Sequence, residues 1–248
     1  MQQHKDDRLR AQRRRLISNR VSALTTTISA ARTAPPKRTI EDEYKPRFEE
    51  IALMPEVREL LLAPSDVVVD SFTLSETVVP MLPALEERWN RENRASLLAL
   101  LDDSETPDGV DVLQLARSLF RCKQCERRMY YPDVLAHQCD ADFFSKFRRK
   151  AQNEEEYYIT TVECATFASH AWDVRTFERA PNPQMVDKVI ALCGKAPESV
   201  TRKEMERADL WVVRTDPGLD PASECSRLGM IWLCAVSGGA PSARVEVY

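Results

Sequence analysis

"CKQCERRMYYPDVLAHQC", residues 122–139, places Cys122 and Cys125 two residues apart, then returns eleven residues later with His137 and, after one more residue, Cys139. Zinc takes four tetrahedral ligands, and a Cys-x-x-Cys turn is a common way for a short chain to bring two sulfurs to one ion. Eleven intervening residues are enough for a return stretch over Arg127–Tyr131 and a short helix that Pro132 can open at its first position. That helix delivers His137 near its end. Positions i and i+2 do not share a helix face, so Cys139 is expected just beyond the helix, where the chain turns back. Cys122, Cys125, His137 and Cys139 therefore read as a closed, structural zinc site, close to the two-Cys two-His fingers but with a shorter second pair. The competing reading is a buried cysteine turn with His137 capping a helix.

Around this stretch the chain is 248 residues long and 43% hydrophobic, enough for one large domain or two small ones with a real core. Seven cysteines are an odd number, and Cys164, Cys193, Cys225 and Cys234 lack the spacing of a disulfide framework. With no long apolar run and a charged beginning, the expectation is an intracellular protein of cytoplasm or nucleus, with no membrane segment. In a reducing compartment, clustered thiols beside a histidine are metal ligands rather than bridge partners.

The net charge of -4 conceals an asymmetry. Residues 1–38 hold ten Lys or Arg against two Asp or Glu, which makes the segment +8 and the remainder -12. Residues 5–32 read as a helix, with Leu16, Arg20, Val21, Leu24 and Ile28 at helical spacing and Pro35-Pro36 closing it. Arg13-Arg14-Arg15 in its first half reads either as an import signal or phosphate-contacting arm, or as a solvated helix face.

The expected class is α+β, organised as a basic helix (1–36), a polar linker (37–47), a helical region (48–118), the finger-like motif (119–142) and a mixed C-terminal region (143–248). Pro55 opens a short helix through Val57 and Leu61. Ser75 is expected to cap a longer one whose face is Val78, Leu82, Leu85, Trp89, Leu97, Leu98 and Leu101, interrupted early by Pro80 and Pro83. "EEEYYITTVECATF" from residue 154 has the β-branched and aromatic content of a strand. Residues 184–193 read as a helix stopped by Gly194, and "TRKE" at 201–204 is a capping box. Apolar runs at 210–213, 230–236 and 245–248 predict a small antiparallel sheet.

"LFRCKQCERRMYYPDVLAHQC" resembles a stretch of a large, poorly characterised family of fungal proteins, many of them named as F-box proteins, in which a Cys-x-x-Cys, a Tyr-Pro pair and a His-x-Cys follow in this order. The similarity extends through "PALEERWNRENRASLLALL", "VIALCGKAPESVTRKEM" and "RLGMIW", over residues 10–236. The resemblance implies an accessory region that in relatives follows an F-box, the module that recruits a protein to a ubiquitin ligase. The chain departs from that pattern twice. No F-box-like segment is seen ahead of the basic helix, and a second cysteine pair that some relatives carry is replaced by apolar and basic residues near Leu210–Arg214. Cys164, His170, Cys193 and Cys225 have no spacing that supports a second metal site.

Catalytic chemistry is sparse. The chain has six glycines, no phosphate loop, no nucleophile elbow and no His-Glu-x-x-His, and His170 beside Trp172 and Asp173 is the one candidate base. The expectation is a non-enzymatic zinc protein that works through protein partners, with Tyr130 or Tyr131 as candidate docking groups. The alternative is a nuclear nucleic-acid-associated finger using the basic helix. No basic residue lies between Tyr131 and Cys139, so base reading by the short helix is not expected.

Overall fold

The computed structural model describes residues 2–33, 44–101, 109–139, 151–165, 171–181, 183–208, 211–215, 227–231 and 244–247. It is α+β, with a helical N-terminal part and two small antiparallel sheets, and it divides into two compact units. The first comprises Met1–Asn93 with Leu135–Trp172, the second Arg94–Val134 with Asp173–Tyr248. Residues 37–43 of the expected linker lie outside the described residues.

In the first unit, α1 (Gln2–Thr33) buries Arg20, Val21, Leu24 and Ile28 of the expected stripe, with Ile17 rather than the half-buried Leu16 completing the face. Against it pack α2 (Phe48–Ala52), α3 (Pro55–Leu61), which Pro55 opens, and α4 (Ser71–Thr77). Ile51, Val57, Leu61 and Leu74 are the side chains these helices bury. Ser75 is not a cap. Asp70 takes that place, its carboxylate accepting from the Thr73 amide at 2.9 Å, and Ser75 lies inside α4. The two prolines split the expected long helix: a 3-10 turn at Val79–Met81 precedes α5 (Leu82–Leu101). Leu82, Leu85 and Trp89 are buried, and Trp89 meets Trp172 edge-on with ring centroids 6.2 Å apart.

The stretch expected to be a strand is a helix, α7 (Glu154–Ala165). Its start is fixed by Asn153, whose side-chain oxygen accepts from the Glu156 amide at 2.8 Å, and three glutamates follow in the first turn, where the helix dipole favours negative charge. Tyr158 and Val162, four residues apart, are buried on one face, and α7 packs on α1. Capping and tertiary packing outweigh the strand preference of Tyr, Ile, Thr and Val.

In the second unit, β1 (Phe120–Cys122) is the middle of a sheet ordered β2-β1-β3, with β2 (Arg128–Met129) and β3 (Phe177–Arg179) on either side. Between β2 and β3 in the chain lies α6 (Asp133–Ala136), four residues long. Next come α8 (Pro183–Leu192) and α9 (Arg202–Arg207). Gly194 follows α8 with φ +70, the left-handed conformation that ends a helix, and Thr201 and Glu204 close the capping box of α9. Leu119, Tyr130, Val186, Val189, Ile190 and Met205 belong to one buried cluster. The expected antiparallel sheet is present, with β4 (Trp211–Thr215) pairing β5 (Arg227–Ile231) and β6 (Arg244–Val247); residues 210, 232–236 and 248 of the three apolar runs lie outside the described residues.

Candidate metal centre

The turn after β1 is built by its own backbone. The Cys122 amide donates to the Arg127 carbonyl and the Glu126 amide to the Cys122 carbonyl, each at 2.9 Å, while Glu126 adopts φ 61. This closes the Cys-x-x-Cys segment and pairs β1 with β2. On the other edge the Lys123 amide donates to the Thr176 carbonyl at 2.8 Å, extending the pairing of Cys122 with Phe177 in β3. The Val134 amide then reaches the Tyr130 carbonyl at 2.9 Å and starts α6, with Pro132 at the turn just before it rather than inside.

The outcome is that all four residues singled out by spacing come together. One ligand atom each of Cys122, Cys125, His137 and Cys139 lies within 4.8 Å of the others. None of the three cysteines is in a disulfide. Ligand atoms around a tetrahedral zinc are about 3.5–3.8 Å apart, so closure onto an ion asks for shifts of about 1 Å or less. Cys122 is fully buried and Cys125 exposed, with His137 and Cys139 half-buried. Four side chains that can hold a metal ion thus lie close enough together to share one. Among the described residues this is the one such group of His, Cys, Asp and Glu.

Two arginines fix the finger's aromatic pair. Tyr130 is 3% exposed, its hydroxyl donates to the Ala116 carbonyl at 2.9 Å, and Arg202 lies over its ring at 5.1 Å while donating to Asp133 at 2.7 Å. Burial pushes the Tyr130 hydroxyl pKa well up. Tyr131 is half-buried beneath Arg94, 5.6 Å from its ring, and Arg94 is paired with Asp111. Tyr130 is therefore core, not a docking group. The sheet edge is tied by a cross-strand ion pair between Arg121 and Glu178, which sit opposite each other in the register.

The basic helix has turned several of its cations inward. Arg13 donates to the carbonyls of Leu62 and Ala63 at 2.5 and 2.8 Å and pairs with Glu154 at 3.0 Å. Arg14 and Arg15 are both exposed, Arg14 donating to the Ala151 carbonyl and lying over Tyr157. Arg20 is 1% exposed and collects four carbonyls, those of Leu61, Ala63, Pro64 and Val67, at 2.5–3.1 Å. Burial, and then the like charge of Arg13, lower its pKa. Nothing in the sequence marks this role except a cation on an otherwise apolar stripe.

A groove of about 380 Å³ runs between α1 and α7, lined by small residues such as Ser18, Ser22, Thr25, Thr161 and Cys164. Thr25 and Thr161 return their hydroxyl protons to carbonyls of their own helices, at 2.9 and 2.6 Å, and the Cys164 thiol is pushed up by burial and by Glu163. His170 and Cys225 lie outside the described residues. No helix among the described residues is long and apolar enough to cross a membrane. No protein-family profile, no curated protein and no solved structure matches the chain.

Proposed function

We propose that this is a zinc-binding, non-enzymatic protein that works through contacts with other proteins, related by its finger to the F-box-associated family it resembles. One observation carries the reading: three thiols and one imidazole, unlinked by disulfides, with ligand atoms within 4.8 Å of one another. Soft sulfur donors with an imidazole suit zinc over the hard, oxygen-seeking cations. Four protein ligands leave no open position for a water or substrate, which makes the ion a structural one.

The surroundings support a scaffold role. β1, β2 and β3 are three, two and three residues long, and strands this short need a further tie to hold their register. An ion bonded to Cys122 at the end of β1 supplies that tie. The nucleic-acid alternative draws less support, because Arg13 and Arg20 are engaged with protein acceptors, which breaks the row of exposed cations that Arg14 and Arg15 would otherwise continue.

Elemental analysis of protein purified without added zinc tests the reading. One zinc per chain is expected, with none in the Cys122→Ser, Cys125→Ser variant and a lower melting temperature after chelation of the parent. No bound zinc, with melting indifferent to chelator, would remove the site. Co-purification with ubiquitin-ligase subunits is the test of the F-box relationship.

A further inference from the structure

Burial is the rule for large apolar side chains in the helical unit, and the exceptions are not scattered evenly. Of the five large hydrophobic residues that stand exposed among the described residues, Val67 (43%), Val68 (73%) and Phe72 (74%) fall within six consecutive positions, while Leu9 and Leu192 are isolated. Single exposed hydrophobics need no explanation, but a contiguous group is where proteins bind other molecules.

The backbone that carries this group is held from inside. The Arg20 guanidinium takes the carbonyls of Pro64 and Val67, the Val67 amide donates to the Pro64 carbonyl at 3.2 Å, and Val69 points inward at 9% exposure. Asp70 then caps α4, with Phe72 in its first turn. The three side chains are thus presented on a segment pinned at both ends, so little ordering is left for a partner to impose. A loop and helix start whose only task was to connect α3 with α4 have no need of two valines and a phenylalanine in water.

Charge identifies the partner. From Glu59 to Glu76 the chain carries four carboxylates (Glu59, Asp66, Asp70 and Glu76) and no Lys, Arg or His, whereas Glu86 further on is already paired with Arg32. Asp66 and Asp70 flank the valines and, with Glu76, are exposed. Complementary charge at the rim of an apolar contact sets partner choice and speeds encounter.

We infer that Val67, Val68 and Phe72, rimmed by Asp66 and Asp70, form a docking surface for a short protein segment that pairs an aliphatic or aromatic side chain with Lys or Arg. This rests on the reading of the protein as one that acts through protein contacts, and it does not involve the metal ligands.

The probe is a phage library of random twelve-residue peptides selected on the full-length protein, followed by anisotropy titration of the labelled winners. Selected peptides are expected to combine apolar and basic residues. Their affinity should fall at least tenfold in Val68→Ser, Phe72→Ser and about threefold in Asp66→Asn, with 0.5 M salt weakening the parent and leaving Leu192→Ser equal to it. Asp66→Asn changes one exposed carboxylate and guards against a double variant that folds poorly, and zinc content measured on each preparation tells a lost surface from a lost metal site. Peptides that bind the double variant as tightly as the parent would overturn this surface while leaving the broader protein-contact reading intact. An empty selection, a preference for acidic peptides, or a dimer of the protein that dissolves in the double variant would each overturn it as well.

Discussion

Two loops in this protein face the same physical problem and meet it with different chemistry. In the segment Cys122–Cys139, strands of three and two residues and a four-residue helix are too short to hold their shape by backbone pairing, and four metal-type ligands come together. In the segment Leu61–Val67, the carbonyls left over at the end of α3 and in the turn beyond it converge on one buried guanidinium, Arg20. A helix end leaves its last four carbonyls without intrahelical partners, and four acceptors pointing inward require a donor with several N–H groups. Arginine is such a donor, fixed in the covalent structure and charged at any pH the protein meets. The metal ligands are conditional in a way the arginine is not: their cross-link exists only when an ion is supplied and the thiols are reduced.

The largest expected effect separates the two. Replacing Cys122 and Cys125 by Ser, or chelating the metal, is expected to cost several kcal/mol and to lower the melting temperature by about 10 °C or more, since zinc binding free energy in such motifs is folding free energy. Hydrogen exchange should show the loss at the amides of Cys122, Lys123 and Glu126, whose bonds close the turn and the sheet edge. The Leu61–Val67 segment should keep its protection. Equal loss of protection in both segments would mean that the two loops are not independently held.

Next in size is Arg20→Met, which preserves the length of the side chain and removes the donor. The Leu61 and Val67 carbonyls lose their donor, while Ala63 keeps Arg13 and Pro64 keeps the Val67 amide, and an expected cost of about 2–4 kcal/mol follows from leaving two such groups unsatisfied. Arg20→Lys should recover only part of it, because one ammonium cannot span the positions that a planar fork reaches. Urea unfolding measures the loss, and zinc content should be unchanged in both variants. A destabilisation below about 1 kcal/mol in Arg20→Met would mean that water replaces the guanidinium.

The same contrast explains what could be read from the sequence. Metal ligands are a chemical pattern with local spacing, so Cys122, Cys125, His137 and Cys139 were legible together. Helix phase was legible where apolar residues recur, as at Val21, Leu24 and Ile28, and where capping chemistry is explicit, as at Thr201 and Glu204. Arg20 stood in that apolar stripe, but its acceptors are backbone carbonyls more than forty positions away, and every residue has a carbonyl. β3 is three residues long, too short to display an alternation, and it joins β1 across more than fifty residues. Residues 154–165 misled because β-branched and aromatic content spoke for a strand, whereas Asn153 and the packing of Tyr158 and Val162 decide for a helix.

A pair of tyrosines sharpens the comparison at a smaller scale. Tyr158 is fully buried and its hydroxyl donates to the Ala52 carbonyl, and Tyr130 does the same for Ala116 beside the metal ligands. Phe at either position keeps the ring and orphans one buried carbonyl, at an expected cost of about 1–2 kcal/mol. Their responses to chelation should differ. Tyr130→Phe is expected to add less to the instability of the metal-free protein than to the metal-loaded one, because its surroundings have already loosened, while Tyr158→Phe should cost the same with and without metal. Thermal melting of the four combinations gives both differences as a double-mutant cycle.

The smallest effect comes from the ion pair that supports the arginine-held loop from outside. Arg13 bridges Glu154 to the carbonyls of Leu62 and Ala63, and its hydrogen bonds hold the Glu154 carboxyl below its ordinary value of 4.5. Because the folded protein lowers this pKa, the pair contributes fully above about pH 4.5, where the unfolded chain is also ionised, and its contribution is lost as pH falls through the lower folded value. Glu154 is 47% exposed in its side chain, so solvent and salt screen the pair and less than about 1 kcal/mol is at stake. Glu154→Gln should therefore melt below the parent by about 2 °C at most near pH 7, with the gap narrowing in high salt and closing as the pH falls through the lowered folded value. A gap that widened on acidification would require that the carboxylic acid, not the carboxylate, be the form that the fold prefers, and would assign the holding of Leu62 and Ala63 to Arg13 alone.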